Sequence, residues 1–132
     1  MNYMSFAAIG NFLLYLCASC TMLALFTRLY IWTTPYNEMD QMRAGKKAPV
    51  IALVGAMLGF TLPLLAMSYV GANIADFVIW SVVAMVVQLA LFKILYWVIP
   101  AEIEVDNQAV GIFFAGMSVC VGAINAFSLI PH

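Results

Sequence analysis

The chain has 132 residues, of which 66% are hydrophobic and 8% are Asp, Glu, Lys or Arg, with a formal net charge of -1. A soluble domain carries roughly 25% charged residues because its surface faces water, so this composition excludes an ordinary soluble globule. The near-neutral balance also excludes a basic surface for nucleic acid. The length leaves room for one domain, and we treat 1–132 as a single transmembrane domain.

Four apolar runs occupy most of the chain, at about residues 5–32, 49–70, 74–99 and 109–130. A helix needs about 20 residues to cross ~30 Å of hydrocarbon, and each run reaches that length. The first run has no Lys or Arg before Arg28 and exceeds the apolar region of a signal peptide. Membrane barrel strands would alternate between apolar and polar residues, whereas runs such as 78–95 are apolar on every side. The sequence therefore predicts an all-α integral membrane four-helix bundle.

The connection after the first run, TTPYNEMDQMRAGKK, holds five of the eleven Asp, Glu, Lys and Arg residues. Thr34 is predicted to cap a short helix that begins at Pro35 and ends near Gly45. Pro49 then begins the second span in the same way. Between the second and third spans, Asn73 precedes Asp76 by three residues, which is typical of a helix cap.

The third span is predicted to end at Pro100, and Asp106 or Asn107 to cap the fourth. Every Lys and Arg lies in or close to the first and third connections, while the second connection, 68–73, has none. Basic residues near span ends mark the cytoplasmic side. We therefore expect loops 33–48 and 100–108 to be cytoplasmic and both termini to lie outside. Acidic residues on the same side nearly balance the cations, which disfavours a polybasic lipid-binding patch.

The two halves of the chain resemble each other. Leu29-Tyr30, Pro35, Ala48 and Gly55 are echoed by Leu95-Tyr96, Pro100, Ala109 and Gly116. A unit of two spans would place its second copy the same way up as the first. The sequence thus predicts two parallel two-helix repeats, at about 5–70 and 74–130, related by a pseudo-two-fold axis along the membrane normal and not by the inversion of many transporters.

The segments that carry this repeat also resemble a known family. They are TPYNE at 34–38, GAMLGF at 55–60 followed by Pro63, WSVVAMVVQL at 80–89, and Asn107, Ala109, Gly111 and Gly116. The chain resembles the YjfL-like family of bacterial inner-membrane proteins over nearly its whole length. That resemblance implies two copies of a two-span unit in the inner membrane, with no established activity. The family pattern often has Asn and small residues where this chain has Lys46-Lys47-Ala48-Pro49.

Small residues recur four apart in the second and fourth runs, at Gly55 and Gly59 and at Gly111 and Ala115, among others. Lipid gives helices no hydrophobic reason to associate, so close backbone approach at small residues joins them. These residues are predicted to form the bundle core or a subunit interface. Pro63 removes the hydrogen bond to the Gly59 carbonyl, which indicates either a packing adjustment or a kink that lines a cavity.

Polar side chains within the spans are few. Gln88 and Asn125 could form interhelical hydrogen bonds or line a polar pathway. No charged residue occupies the middle of a span, which disfavours a proton-coupled pump. Cys17 and Cys20 have a C-x-x-C spacing, but they have no basic neighbour in the sequence, so buried apolar packing is favoured over redox chemistry. The only histidine ends the chain, and we predict no metal site, cofactor or enzymatic activity.

Two functions remain open. The first is an oligomeric membrane scaffold or anchor that engages a cytoplasmic protein through loops 33–48 and 100–108, and the alternative is a homo-oligomeric pore or small-solute carrier. The candidate docking residues are Tyr36, Glu38, Asp40, Arg43, Lys46, Lys47, Glu102 and Glu104. The candidate packing or pathway residues are Gly55, Gly59, Pro63, Gln88, Gly111, Gly116 and Asn125. The expected partners are the lipid bilayer, further copies of the chain and a cytoplasmic protein.

Overall fold

The computed structural model describes residues 6–34, 38–98 and 106–130, and this part of the chain contains helices and no strand. The helices are α1 (Phe6–Thr33), α2 (Glu38–Arg43), α3 (Ala48–Tyr69), α4 (Ile74–Val98) and α5 (Gln108–Leu129). All except α2 are long and apolar enough to cross a membrane. Their bounds agree closely with the four predicted runs. The prediction of an all-α membrane bundle is therefore confirmed.

Helix ends follow local side-chain chemistry. The Asn73 side chain accepts a hydrogen bond from the Asp76 backbone at 2.9 Å, which confirms the predicted cap of α4. Asn107 accepts from the backbone of Val110 and caps α5. The Thr34 hydroxyl donates to the Ile31 carbonyl at 2.7 Å and so closes the last turn of α1. The predicted start of α2 at Pro35 lies outside the described residues.

The long helices pair in parallel across the bundle. Along α3 and α5, Gly55 lies against Ala115 and Gly59 against Ser118, so both helices advance in the same direction. Along α1 and α4, the rings of Tyr15 and Phe77 are 5.5 Å apart and those of Tyr30 and Phe92 are 4.6 Å apart, again in the same order. These directions are the ones that two parallel two-span units require, and the repeat itself stays a prediction.

The core lies around α3, and α1 is peripheral. Half of the most apolar stretch of α3 is buried within the protein, compared with 6% of that of α1. Besides its ring contacts with α4, two features attach α1 to the rest of the bundle. The fully buried rings of Phe26 and Phe60 stack with their centres 4.6 Å apart, and the Tyr15 hydroxyl donates to the Ala72 carbonyl at 2.5 Å. Most of the remaining surface of α1 is left for lipid or for another protein.

Candidate functional site

The crossing of α3 and α5 is a direct contact between two backbones. A Cβ atom added at Gly122 would overlap the Gly59 carbonyl, and one added at Gly59 would overlap the Ser118 carbonyl. A Cβ at Gly55 would meet Ala115 in the same way. Only hydrogen atoms fit between the helices here, which allows Cα–H to carbonyl contacts. The small residues therefore serve the close helix approach expected in a membrane.

The other two predicted glycines of α5 lie in different surroundings. A Cβ at Gly111 would lie 2.7 Å from the Ala48 carbonyl, so close contact continues to the start of α3. Gly116 is exposed, and a Cβ there would meet nothing within 4 Å. Gly116 therefore takes no part in the contact between α3 and α5. The predicted packing role of Gly116 could therefore only involve a contact with a second molecule, and it stays a prediction.

Three helices meet at the Gln88 side chain. Gln88 is 3% exposed, and its Nε2 atom donates to the Ser118 carbonyl across a long 3.4 Å bond. The same nitrogen lies 3.1 Å from where a Cβ of Gly59 would be. The buried Oε1 atom has no hydrogen-bond partner among the described residues. Buried Pro63 lies one turn beyond Gly59 and lacks the N–H that would bond to the Gly59 carbonyl.

Asn125 forms a second polar link between α4 and α5. Its Nδ2 atom donates to the Ala84 carbonyl at 3.5 Å. Asn125 and Gln88 thus both donate their amide groups to main-chain carbonyls of the facing helix. Each bond is longer than the usual range for a nitrogen donor, so neither amide is tightly held.

We expect Gln88→Leu to change the free energy of unfolding by less than about 1 kcal/mol, because interhelical hydrogen bonds in membranes average ~0.6 kcal/mol. Leucine also removes a buried oxygen that no described residue hydrogen-bonds, which offsets part of the loss. Reversible unfolding in mixed detergent micelles measures the change. Gln88→Glu, which keeps the size but can ionise, is the control and should destabilise the protein. A loss above ~2 kcal/mol for leucine would contradict the weak bond seen here.

Asp106 joins the first and third connections. Its Oδ1 atom accepts hydrogen bonds from the backbone N–H groups of Lys47 and Ala48, both at 2.8 Å. Asp106 adopts φ +61°, a left-handed conformation in which Asp is more frequent than most residues. The sequence placed Asp106 or Asn107 at the start of α5. Asn107 takes that position, and Asp106 instead accepts hydrogen bonds from the backbone N–H groups at the start of α3.

The hydrogen bond from Ala48 is the main cause that lowers the pKa of the Asp106 carboxyl below its ordinary value. Partial burial opposes this shift, while the hydrogen bond from Lys47 and the charges of Lys46 and Lys47 add to it. The carboxylate is therefore ionised at neutral pH. We call residues 38–48 together with Asp106 and Asn107 the clasped loops.

The clasped loops carry exposed charge and exposed methionine. Asp40, Arg43 and Lys47 are exposed and Lys46 is partly exposed. Met39 and Met42 on α2 are 46% and 47% exposed, a feature that the charge pattern of the sequence did not single out. Glu38 is the first residue of α2. The other docking candidates, Tyr36, Glu102 and Glu104, lie outside the described residues.

The cysteines lie on the outside of the helices. Cys17, Cys20 and Cys120 are exposed free thiols, so the expectation that Cys17 and Cys20 are buried is wrong. These two residues lie on the peripheral helix α1, where little of the surface is covered by the rest of the chain. Within the described residues, no group of His, Cys, Asp and Glu side chains could hold a metal ion.

Four long apolar helices, a small-residue crossing and short connections define a polytopic α-helical membrane protein. The family described as Domain of Unknown Function (DUF350) matches residues 3–129, and the chain belongs to that family. It is 30% identical over 108 residues to the UPF0719 inner membrane protein YjfL of Escherichia coli (strain K12), across 80% of this chain and 82% of the relative. The protein of the same name from Escherichia coli O157:H7 shows the same identity and coverage.

The resemblance to YjfL-like proteins is thereby confirmed, and the chain is an inner-membrane protein whose described residues include four helices long and apolar enough to span the membrane. No solved structure shows a significant match to it. The details of the crossing and of the clasped loops therefore come from this chain alone.

Proposed function

We propose that the protein is an oligomeric membrane scaffold that binds a cytoplasmic protein through its clasped loops. The observation that carries this proposal is the pair of 2.8 Å hydrogen bonds from Lys47 and Ala48 to Asp106. They join two connections of the chain, since Asp106 lies 58 residues after Ala48 and 59 residues after Lys47. A surface fixed in this way loses little conformational freedom when a partner binds, which favours association.

The chemistry of this surface suits a protein partner. Asp40, Arg43 and Lys47 present charges of both signs, and charges of both signs favour a complementary charge pattern over a uniformly anionic surface. Met39 and Met42 add adaptable apolar contacts between these charges. The cytoplasmic location of the surface is part of the proposal and rests on the distribution of Lys and Arg along the chain.

Self-association is the second part of the proposal. A groove on the outer side of α3 and α5 includes Gly55, Gly116 and Cys120 and is lined almost entirely by apolar atoms. Gly116 exposes its backbone there, and small residues on a lipid-facing surface permit close approach of another helix. This groove supports an oligomer built around the outer face of α5.

Charge reversal on the clasped loops tests the scaffold function. We expect Asp40→Lys and Arg43→Glu each to release the cytoplasmic partner from the gently purified complex, because each opposes the existing charge pattern. The matched control is Asp76→Lys, which makes the same change at the exposed start of α4 on the opposite side of the membrane. Quantitative mass spectrometry of the co-purifying chains measures retention. Equal retention in all variants would contradict the proposal.

A pore or small-solute carrier is the second candidate, and the Gln88 side chain favours it. Its Oε1 atom is buried where three helices meet and has no partner in the described part of the chain, and such an acceptor could contact a passing solute or water. Flux into liposomes containing purified protein distinguishes the two functions. A pore predicts solute flux that Gln88→Leu alters, while a scaffold predicts no flux for either protein.

A further inference from the structure

A continuous apolar groove separates α1 from α3 on the lipid-facing surface. One section is lined by Leu23, Ala24, Arg28 and Met57 and has a volume of about 450 Å³. The next section shares Cys20 and Leu23 with the first and continues to Ser19 and Ser68. From Ile31 to Ser19 the groove extends roughly 18 Å along α1, at the helical rise of 1.5 Å per residue.

On the inner side of the bundle, α1 packs against α3 through an aromatic contact. The stacked rings of Phe26 and Phe60 fill the space between these helices on the inner side. The outer side is left to small or flexible residues such as Cys20 and Ala24, which are exposed. The volume of this apolar groove is within the range of small-ligand sites. Because the groove is open to the bilayer, hydrocarbon occupies it.

Arg28 lines the section of the groove nearer the end of α1, where Ile31 also lies, close to the membrane boundary. Its side chain is exposed and forms no ion pair with another described residue. Helix α1 has 28 residues, about 42 Å at 1.5 Å per residue, and so extends beyond ~30 Å of hydrocarbon at its ends. Arg28 precedes the end of α1 by five residues, or about 7.5 Å. Its long side chain can therefore reach the headgroup region.

We propose that the groove between α1 and α3 binds one anionic phospholipid of the surrounding bilayer. One acyl chain lies along Leu23 and Cys20, and the phosphate contacts the Arg28 guanidinium, which offers paired donors that match phosphate oxygens. Charge complementarity selects the anionic lipid, because the Arg28 cation that lines this apolar groove has no ion-pair partner among the described residues. Basic sites between membrane helices bind such headgroups.

This site differs from a polybasic lipid surface, which the balanced charge of the loops disfavours. It depends on one cation placed beside a groove that fits a chain. Lys93 provides the comparison within the same protein. It is exposed and lies five residues before the end of α4, as Arg28 does in α1, but it does not line this groove.

Native mass spectrometry tests the site with the full chain in zwitterionic detergent, titrated with phosphatidylglycerol or with phosphatidylcholine. We expect the first phosphatidylglycerol to bind more tightly than phosphatidylcholine. Arg28→Gln should weaken phosphatidylglycerol binding about fivefold, the effect of one cation near a charged lipid surface, while Lys93→Gln should leave it nearly unchanged. Ala24→Trp fills the groove, keeps Arg28 and should also weaken binding.

Each contrary result overturns the site. Equal losses in Arg28→Gln and Lys93→Gln would show general attraction to the cations and no defined site. Unchanged binding in Ala24→Trp would show that the groove does not hold the lipid chain. Equal affinity for the two lipids would remove the role of charge. Circular dichroism and the elution volume of each variant confirm that it folds like the wild type, and neither readout depends on lipid binding.

Discussion

Adding a single methyl group at Gly122 is expected to destabilise the protein by about 1–3 kcal/mol, the usual cost of overpacking a well-packed core. The new Cβ would overlap three atoms of Gly59, the carbonyl oxygen, the carbonyl carbon and Cα. All three are backbone atoms, so no side-chain rotation can make room. The α3–α5 contact must open for Gly122→Ala to be accommodated. Reversible unfolding in mixed micelles measures the loss of free energy.

Gly116→Ala is the matched control for this experiment. It adds the same methyl group to the same helix, but at a position with nothing within 4 Å. Alanine is a better helix former than glycine by roughly 1 kcal/mol in soluble hosts, so the monomer should be unchanged or slightly stabilised. Equal destabilisation by both variants would contradict the crossing described here. A weakened oligomer in Gly116→Ala with an intact monomer would instead support the outer-face contact.

The second large effect is expected at Asp106, where one side chain joins two connections. Asp106→Gly removes the carboxylate while tolerating the left-handed backbone, since glycine adopts positive φ without steric cost. We expect faster hydrogen exchange at the N–H groups of Lys47 and Ala48 and loss of the proposed cytoplasmic partner. Asp106→Asn keeps an acceptor oxygen and should retain most of the protection. If Asp106→Gly exchanges like the wild type, the clasp is not a structural feature of the protein in a membrane.

The Asp106 hydrogen bonds also predict a pH dependence. Because they lower the pKa of the folded-state carboxyl below its ordinary value of 3.8, their stabilisation is fully present above that value and is lost as the pH falls through the folded-state pKa. Exchange at Lys47 and Ala48, corrected for intrinsic rates, should accelerate only in that acidic range. The Asp106→Asn variant, which has no proton to gain, should show no such transition.

The spanning helices could be predicted from sequence because their signal is strong and local. Each apolar run exceeds the length that a bilayer demands, and the cap at Asn73 uses partners only three residues apart. The glycines were predicted to mediate packing because helices in lipid associate through small residues. These rules needed no knowledge of which helices are neighbours.

The features that depend on neighbours could not be read in this way. Asp106 binds N–H groups 58 and 59 residues away, and a local capping rule places it at the nearer helix. Gly116 matches Gly55 in the predicted repeat, yet only Gly55 faces the α3–α5 contact. The groove beside Arg28 likewise depends on how loosely α1 packs. The sequence indicates this groove only by a basic residue near the end of a span, and such a residue is ordinarily interpreted as a marker of the cytoplasmic side.

The mass of the intact complex tests whether the clasped loops bind a cytoplasmic partner, as we propose. Gentle purification from the native membrane, followed by native mass spectrometry, should give several copies of this chain with a second protein in fixed ratio. That second protein should be absent from the Asp106→Gly complex and present in the Asp106→Asn complex. A complex of identical copies with no other protein, unchanged by either substitution, would contradict the scaffold function.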